Sequence, residues 1–180
     1  MKPIEGYDLI NESGEIRKLP AGIYGGVITS VVDVPEKEYL EVTCDITKGE
    51  YKDYFKTLVD NGLKDFSKTT RSYKRTALSF FKGFITAIEN SNPGYTWDWD
   101  EKKLVGKNVI LVFGEEEYMK DGQVKTAVKL VEFRSLDAFK KGIIKVPEIK
   151  RLPVVEQELE PVTAETTDAT SIFDDSELPF

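Results

Sequence analysis

Apolar and polar positions alternate with period two along residues 39–47. Leu40, Val42, Cys44 and Ile46 stand on one side, and Glu41, Thr43 and Asp45 on the other. That alternation predicts a strand with one buried face, and it puts Cys44 in the core. Upstream, residues 22–34 are β-branched and glycine-bearing, which predicts a long bent strand. Gly25-Gly26 marks a bulge or a barrel corner in it. Pro35-Glu36-Lys37-Glu38 turns the chain between the two. Residues 51–58 fit either a third strand or a short helix. The period then changes. Ala77, Leu78, Phe81, Phe84, Ile85 and Ile88 fall within an arc of about 120° at helical pitch, which predicts an amphipathic helix over 70–90. Thr69 or Thr70 is its expected cap, and Asn90-Ser91-Asn92-Pro93-Gly94 its stop. Residues 107–113 predict a buried strand. Asp121-Gly122 predicts a hairpin turn, and 124–133 the returning strand, with Val124, Thr126, Val128 and Leu130 on one side. Residues 136–141 predict a helical turn.

With residues 51–58 taken as the third strand, the order is strand, strand, strand, helix, strand, strand. It predicts a mainly β, α+β fold: a five-stranded Greek-key barrel of the OB-fold type, with a long helix between strands three and four. Such barrels bind oligonucleotides on strands two and three and through the loops after strands one and four. Residues 1–151 form this domain, the first twenty as a loosely packed arm. Residues 152–180 hold eight acids and no Lys or Arg among Val, Pro, Thr and Ala, the composition of a disordered acidic tail.

Charge sharpens the picture. The net charge is −7, yet with the tail set aside the body holds 25 basic and 24 acidic residues. Within the body, residues 56–82 and 120–151 each carry a net +5, and acidic blocks separate them. The two blocks either build one positive groove or are ordinary solvated faces. Arg71, Arg75 and Lys82 make a polar row on the expected helix. There is no histidine, and Cys44 is the single cysteine, so an intrachain disulfide or Cys-based zinc site is excluded. No cofactor, metal or catalytic residue is implied. No apolar run is long enough to span a membrane, and the first residues lack a signal-peptide pattern, so a reducing cytoplasm is the expected compartment.

Aromatic residues beside basic ones are the candidate contacts for nucleic acid: Lys48, Tyr51, Lys52, Tyr54 and Lys56 in one stretch, and Tyr118, Lys120, Lys125 and Lys129 in another. Trp97 and Trp99, two apart, point to one side of an extended segment and either stack on bases or cover the core. A metal nuclease is the weaker alternative, resting on Glu148-Ile149-Lys150 and the acids Glu115-Glu116-Glu117. A protein-binding adaptor without affinity for DNA is a further one.

Two resemblances bear on this. Ser72-Tyr73-Lys74, Phe80-Phe81-Lys82-Gly83-Phe84, Ser91-Asn92-Pro93-Gly94-Tyr95 and Val112-Phe113-Gly114-Glu115-Glu116-Glu117-Tyr118 resemble segments of single-stranded DNA-binding proteins from phages and mobile elements of Gram-positive bacteria. With Lys141-Gly142 and Val146-Pro147-Glu148-Ile149-Lys150, the likeness covers about residues 20–150. Residues 171–180 resemble the acidic C-terminal tip of bacterial single-stranded DNA-binding proteins. Asp174, Asp175 and Glu177 precede Leu178-Pro179-Phe180, where those tips carry acids before Ile-Pro-Phe. The resemblance implies a protein that coats single-stranded DNA in replication or recombination. It also implies a tip that recruits a partner protein, with Phe180 in a pocket and the acids on basic side chains. Oligomeric state is left open.

Overall fold

The computed structural model describes residues 2–3, 17–64 and 66–153. β1 (Gly22–Val34) and β2 (Tyr39–Ile46) form an antiparallel hairpin across a short 3-10 turn at Pro35–Lys37. α1 (Tyr54–Asp60) and β3 (Thr69–Ser72) follow, then α2 (Leu78–Ser91), the longest helix. β4 (Asn108–Lys120) and β5 (Gln123–Arg134) make a long hairpin, and α3 (Leu136–Lys140) succeeds it. The five strands form one sheet in the order β3-β2-β1-β4-β5, every neighbouring pair antiparallel. The fold is thus α+β, with one five-stranded antiparallel sheet and one long helix. Among the described residues, no helix is long and apolar enough to cross a membrane.

One face of the sheet closes on a core. Ile28, Leu40, Val42, Cys44, Ile46, Val109, Leu111, Phe113 and Phe133 meet Phe81, Phe84, Ile85 and Ile88 of α2. Phe84 lies 4.8 Å from Phe133, centroid to centroid. α2 packs on β4 and on both edge strands, β3 and β5. A flat sheet would hold those edges four strand spacings apart, about 19 Å. Here the Arg71 guanidinium of β3 lies 4.5 Å from the Phe133 ring centre of β5, so the sheet is strongly curled. Bulges at Thr29 of β1 and at Val131 of β5, opposite Val112/Phe113 of β4, supply bending.

Several expectations are met and several are corrected. β1 begins and ends where the pattern put it. Asp121 and Gly122, at φ 54° and 72°, turn the β4–β5 hairpin. Cys44 is 1% exposed on the inner face, and burial pushes its thiol up to about 12, which keeps it protonated. The glycine pair is not the bulge. Gly26 is instead a close approach, because a Cβ there would lie 2.4 Å from Cδ1 of Leu111. The helix expected over 70–90 starts at Leu78. Its apolar stripe begins only at Ala77, and Thr69–Ser72 pair with β2 through Leu40↔Arg71 and Val42↔Thr69. Neither Thr69 nor Thr70 is a cap, and the row Arg71, Arg75, Lys82 is broken, since Arg71 points inward from β3. The third strand is therefore not in 51–58, which forms a turn and the start of α1.

Candidate functional site

Asp45 decides the shape of the β2–α1 region. Alternation would send its side chain to solvent, yet it is 7% exposed. Oδ1 accepts from the backbone N–H of Ile46 at 2.8 Å and of Phe55 at 3.1 Å, and Oδ2 from that of Lys56 at 3.0 Å. The residue ahead of α1, Asp53, makes no side-chain cap and sits at φ 55°. Asp45 thus satisfies the helix's orphan N–H groups from a neighbouring strand. The intervening residues fold back over the rim of the core. Tyr51 is 6.0 Å from Tyr24 and 5.9 Å from Tyr54, and Tyr24 is 5.7 Å from Phe113, all edge to face. Tyr54 Oη accepts from the Leu19 N–H at 3.2 Å. Tyr24 donates to the Pro20 carbonyl at 2.9 Å, and burial raises its pKa, with Tyr51 and Glu50 adding to the rise.

Of the first candidate group, Tyr51 and Tyr54 are therefore half-buried packing residues. Lys48 and Lys52 are exposed beside them. Lys56 pairs with Asp60 at 2.7 Å, one helical turn on.

The second group shares a face. Register sets Tyr118 opposite Lys125, Lys120 opposite Gln123 and Gly114 opposite Lys129, which puts Tyr118, Lys120, Lys125 and Lys129 on one side of the β4–β5 hairpin. Glu116 lies among them and takes Lys129 at 2.6 Å and Lys150 at 3.0 Å. These two hydrogen bonds, Lys129 first, hold its carboxyl below the ordinary glutamate value. The backbone of Lys150 also pairs with Glu115 and Glu117, at 2.9 Å each, on the flank of β4 that β1 leaves uncovered. Lys129 and Glu116 are thus joined to a strap, residues 147–152. Lys120, Lys125 and Tyr118 make no ion pair among the described residues and face outward.

Trp97 and Trp99 do not act alike. Trp97 packs against the core, with its backbone N–H donating to Glu89 Oε1 at 2.8 Å. Its indole N–H is enclosed and has no partner among the described residues. Trp99 is 81% exposed, at φ 68°. Their ring centres are 6.1 Å apart. Both precede β4, which begins at Asn108, while Tyr51 packs toward Phe113, about 17 Å further along that strand. The tryptophans and the tyrosine group therefore lie at opposite ends of the core.

Two features escape the pattern reading. Phe66 is 62% exposed, with the Lys64 ammonium 5.9 Å from its ring centre. Lys68 reaches Glu41 of β2 at 2.7 Å. This segment leads into β3 and borders the outer face of β1, β2 and β3, where register places Ser30, Thr43, Glu41 and Thr70. Alternate residues Lys64, Phe66 and Lys68 inside a basic block carried the signal. Arg71 is the other, and nothing in its local sequence marks it as inward-facing.

Asp174, Asp175, Glu177, Leu178, Pro179 and Phe180, and the tail from 154 onward, lie outside the described residues. Among the described residues, no group of three or more His, Cys, Asp or Glu is placed to hold a metal ion. No protein-family model matches the chain, and no curated protein matches it.

Proposed function

We propose that the protein binds single-stranded DNA on an OB-fold-like barrel and recruits partner proteins through its acidic tip. The observation that carries the reading is the strand order β3-β2-β1-β4-β5 with α2 between β3 and β4, curled until Arg71 of one edge meets Phe133 of the other. That is the strand order of the five-stranded, partly open OB barrel, which binds oligonucleotides on strands two and three and the adjoining loops. The surface at those places has the needed chemistry. Phe66, flanked by Lys64 and Lys68, borders β2 and β3, and Tyr118 with Lys120 and Lys125 lies at the β4–β5 turn. Lysines neutralise phosphates, and exposed rings accept any base by stacking, so sequence preference is slight.

The test is titration of the full chain with labelled oligo-dT and with duplex, at two salt concentrations. Oligo-dT binds more tightly than duplex. The log–log salt slope is about 0.7 per phosphate neutralised. Phe66→Ala and Tyr118→Ala each weaken binding by about 1–3 kcal/mol, the range for one stacked base. Duplex binding as tight as oligo-dT binding, or a flat salt response, overturns the reading. For the tip, deleting residues 171–180 leaves oligo-dT affinity unchanged or slightly higher and abolishes capture of a partner protein.

A further inference from the structure

Where β3 and β5 face each other without hydrogen-bonding, the fold leaves a cavity of about 440 Å³. That lies within the roughly 300–1,000 Å³ of small-molecule sites. Its walls come from α2, β5, α3 and Arg71 of β3. Two observations make it more than a gap. The Arg71 guanidinium is partly drawn out of water: Nη1 donates to the Thr70 carbonyl at 3.2 Å on its exposed side, the Phe133 ring centre lies 4.5 Å away, and Nη2 is enclosed and has no acceptor among the described residues. An enclosed cationic donor without an acceptor is costly, and an anion brought to it would relieve that cost. Burial accordingly pulls its pKa below the ordinary value. The second observation is Phe80, which lines the same cavity yet is 78% exposed. It offers an open aromatic face, while Phe133 behind it is buried under the Arg71 guanidinium and Phe84, and Asn90 adds both a donor and an acceptor. Glu132 is paired to Arg134 at 2.7 Å, so the carboxylate nearest the cavity is already held by another cation.

We propose that this cavity binds one nucleoside monophosphate unit, its phosphate on Arg71 and its base against Phe80 within reach of Asn90. The choice of a nucleotide among aromatic anions rests on the single-strand reading; the cavity and its unpartnered cation do not. The same chemistry is offered by a free mononucleotide and by the phosphorylated end of a strand.

Gly83 provides a clean test. It lines the cavity, and a Cβ built on it meets nothing within 4 Å. Gly83→Leu therefore plugs the site from a helix position where Leu is preferred over Gly. The full chain is titrated with dTMP, thymidine and inorganic phosphate, following amide shifts. dTMP moves the amides of Phe80, Gly83 and Ala138, and thymidine and phosphate each bind at least about tenfold more weakly. Gly83→Leu removes dTMP binding and keeps its thermal midpoint. Arg71→Gln weakens dTMP without weakening thymidine; should that variant not fold, the plugged one decides. No dTMP binding, equal binding by Gly83→Leu, or phosphate binding as tight as dTMP overturns the proposal.

Oligo-dT with and without a 5′-phosphate is titrated in parallel. A preference for the phosphorylated strand that Gly83→Leu abolishes assigns the site to strand ends. Without that preference, dTMP binding assigns it to the free nucleotide. dTMP binding with no oligo-dT binding at all sinks the single-strand function and leaves the cavity's assignment standing.

Discussion

Asp45→Asn probes the residue that shapes the β2–α1 region. The amide is nearly isosteric, so packing is kept and only the acceptor pattern changes. If its oxygen stays toward Ile46 and Phe55, as Oδ1 does now at 2.8 and 3.1 Å, the NH2 group faces the Lys56 N–H, donor against donor. One hydrogen bond is lost outright and two lose their charge. A hydrogen bond to a charged group contributes about 1.5–3 kcal/mol net, and a neutral one about 0.5–1.5, so one bond lost and two weakened by about 1–1.5 each put the substitution near 3.5–6 kcal/mol. At about 2–4 °C per kcal/mol for a domain of this size, the thermal midpoint falls by roughly 7–24 °C. The loss is local first. Amide hydrogen exchange at Phe55 and Lys56 accelerates before that of Leu111 or Ile88 in the core. Because the same bonds hold Tyr51 and Lys52 over the rim, oligo-dT affinity falls with them if that loop touches DNA. An unchanged midpoint together with unchanged exchange at Phe55 and Lys56 would refute the assignment of Asp45 as the anchor of α1.

Gly26→Ala forces a methyl against Leu111, whose side chain is fully buried, and costs about 1–3 kcal/mol by overpacking; a denaturant midpoint equal to the parent's counts against the close approach. Trp97→Ala lowers the thermal midpoint, because the ring packs on the core, while Trp99→Ala at an 81%-exposed site leaves it within experimental error; equal losses in calorimetry would erase the distinction. Tyr73 donates to Asp33 Oδ1 at 2.8 Å, and that bond raises its pKa to about 12. A raised folded value means its contribution is complete below the ordinary 10.0 and vanishes as pH climbs to about 12; Tyr73→Phe removes this alkaline loss from a pH–stability curve, and an unaltered curve argues against the bond. Glu116 shifts the other way. The contribution of its pairs with Lys129 and Lys150 is present above the ordinary 4.5 and disappears as pH falls through its lowered value, so acid frees the 147–152 strap, seen as faster exchange of the Lys150 and Glu117 amides, and Glu116→Gln frees it at neutral pH.

Local pattern was enough wherever one face of an element met one core. The alternation from Leu40 to Ile46, the stripe from Ala77 to Ile88 and the Asp121-Gly122 turn each carry their geometry in consecutive residues, and each stands in the structure near its expected place. Tertiary contact decided the rest. Thr69–Ser72 is a strand only because β2 offers an open edge there, and four polar residues cannot announce such a partner. Residues 54–60 are helical and Asp45 is buried for one shared reason: a carboxylate and a set of orphan N–H groups, ten residues apart, satisfy each other. Charge was legible as two basic blocks, but not its disposition. Lys56, Lys68 and Lys129 are held by Asp60, Glu41 and Glu116, while Lys64, Lys120 and Lys125 make no ion pair among the described residues. Arg71, which reads as one more surface cation, turns inward because curling brings β3 opposite Phe133, and no neighbouring residue in sequence encodes that meeting.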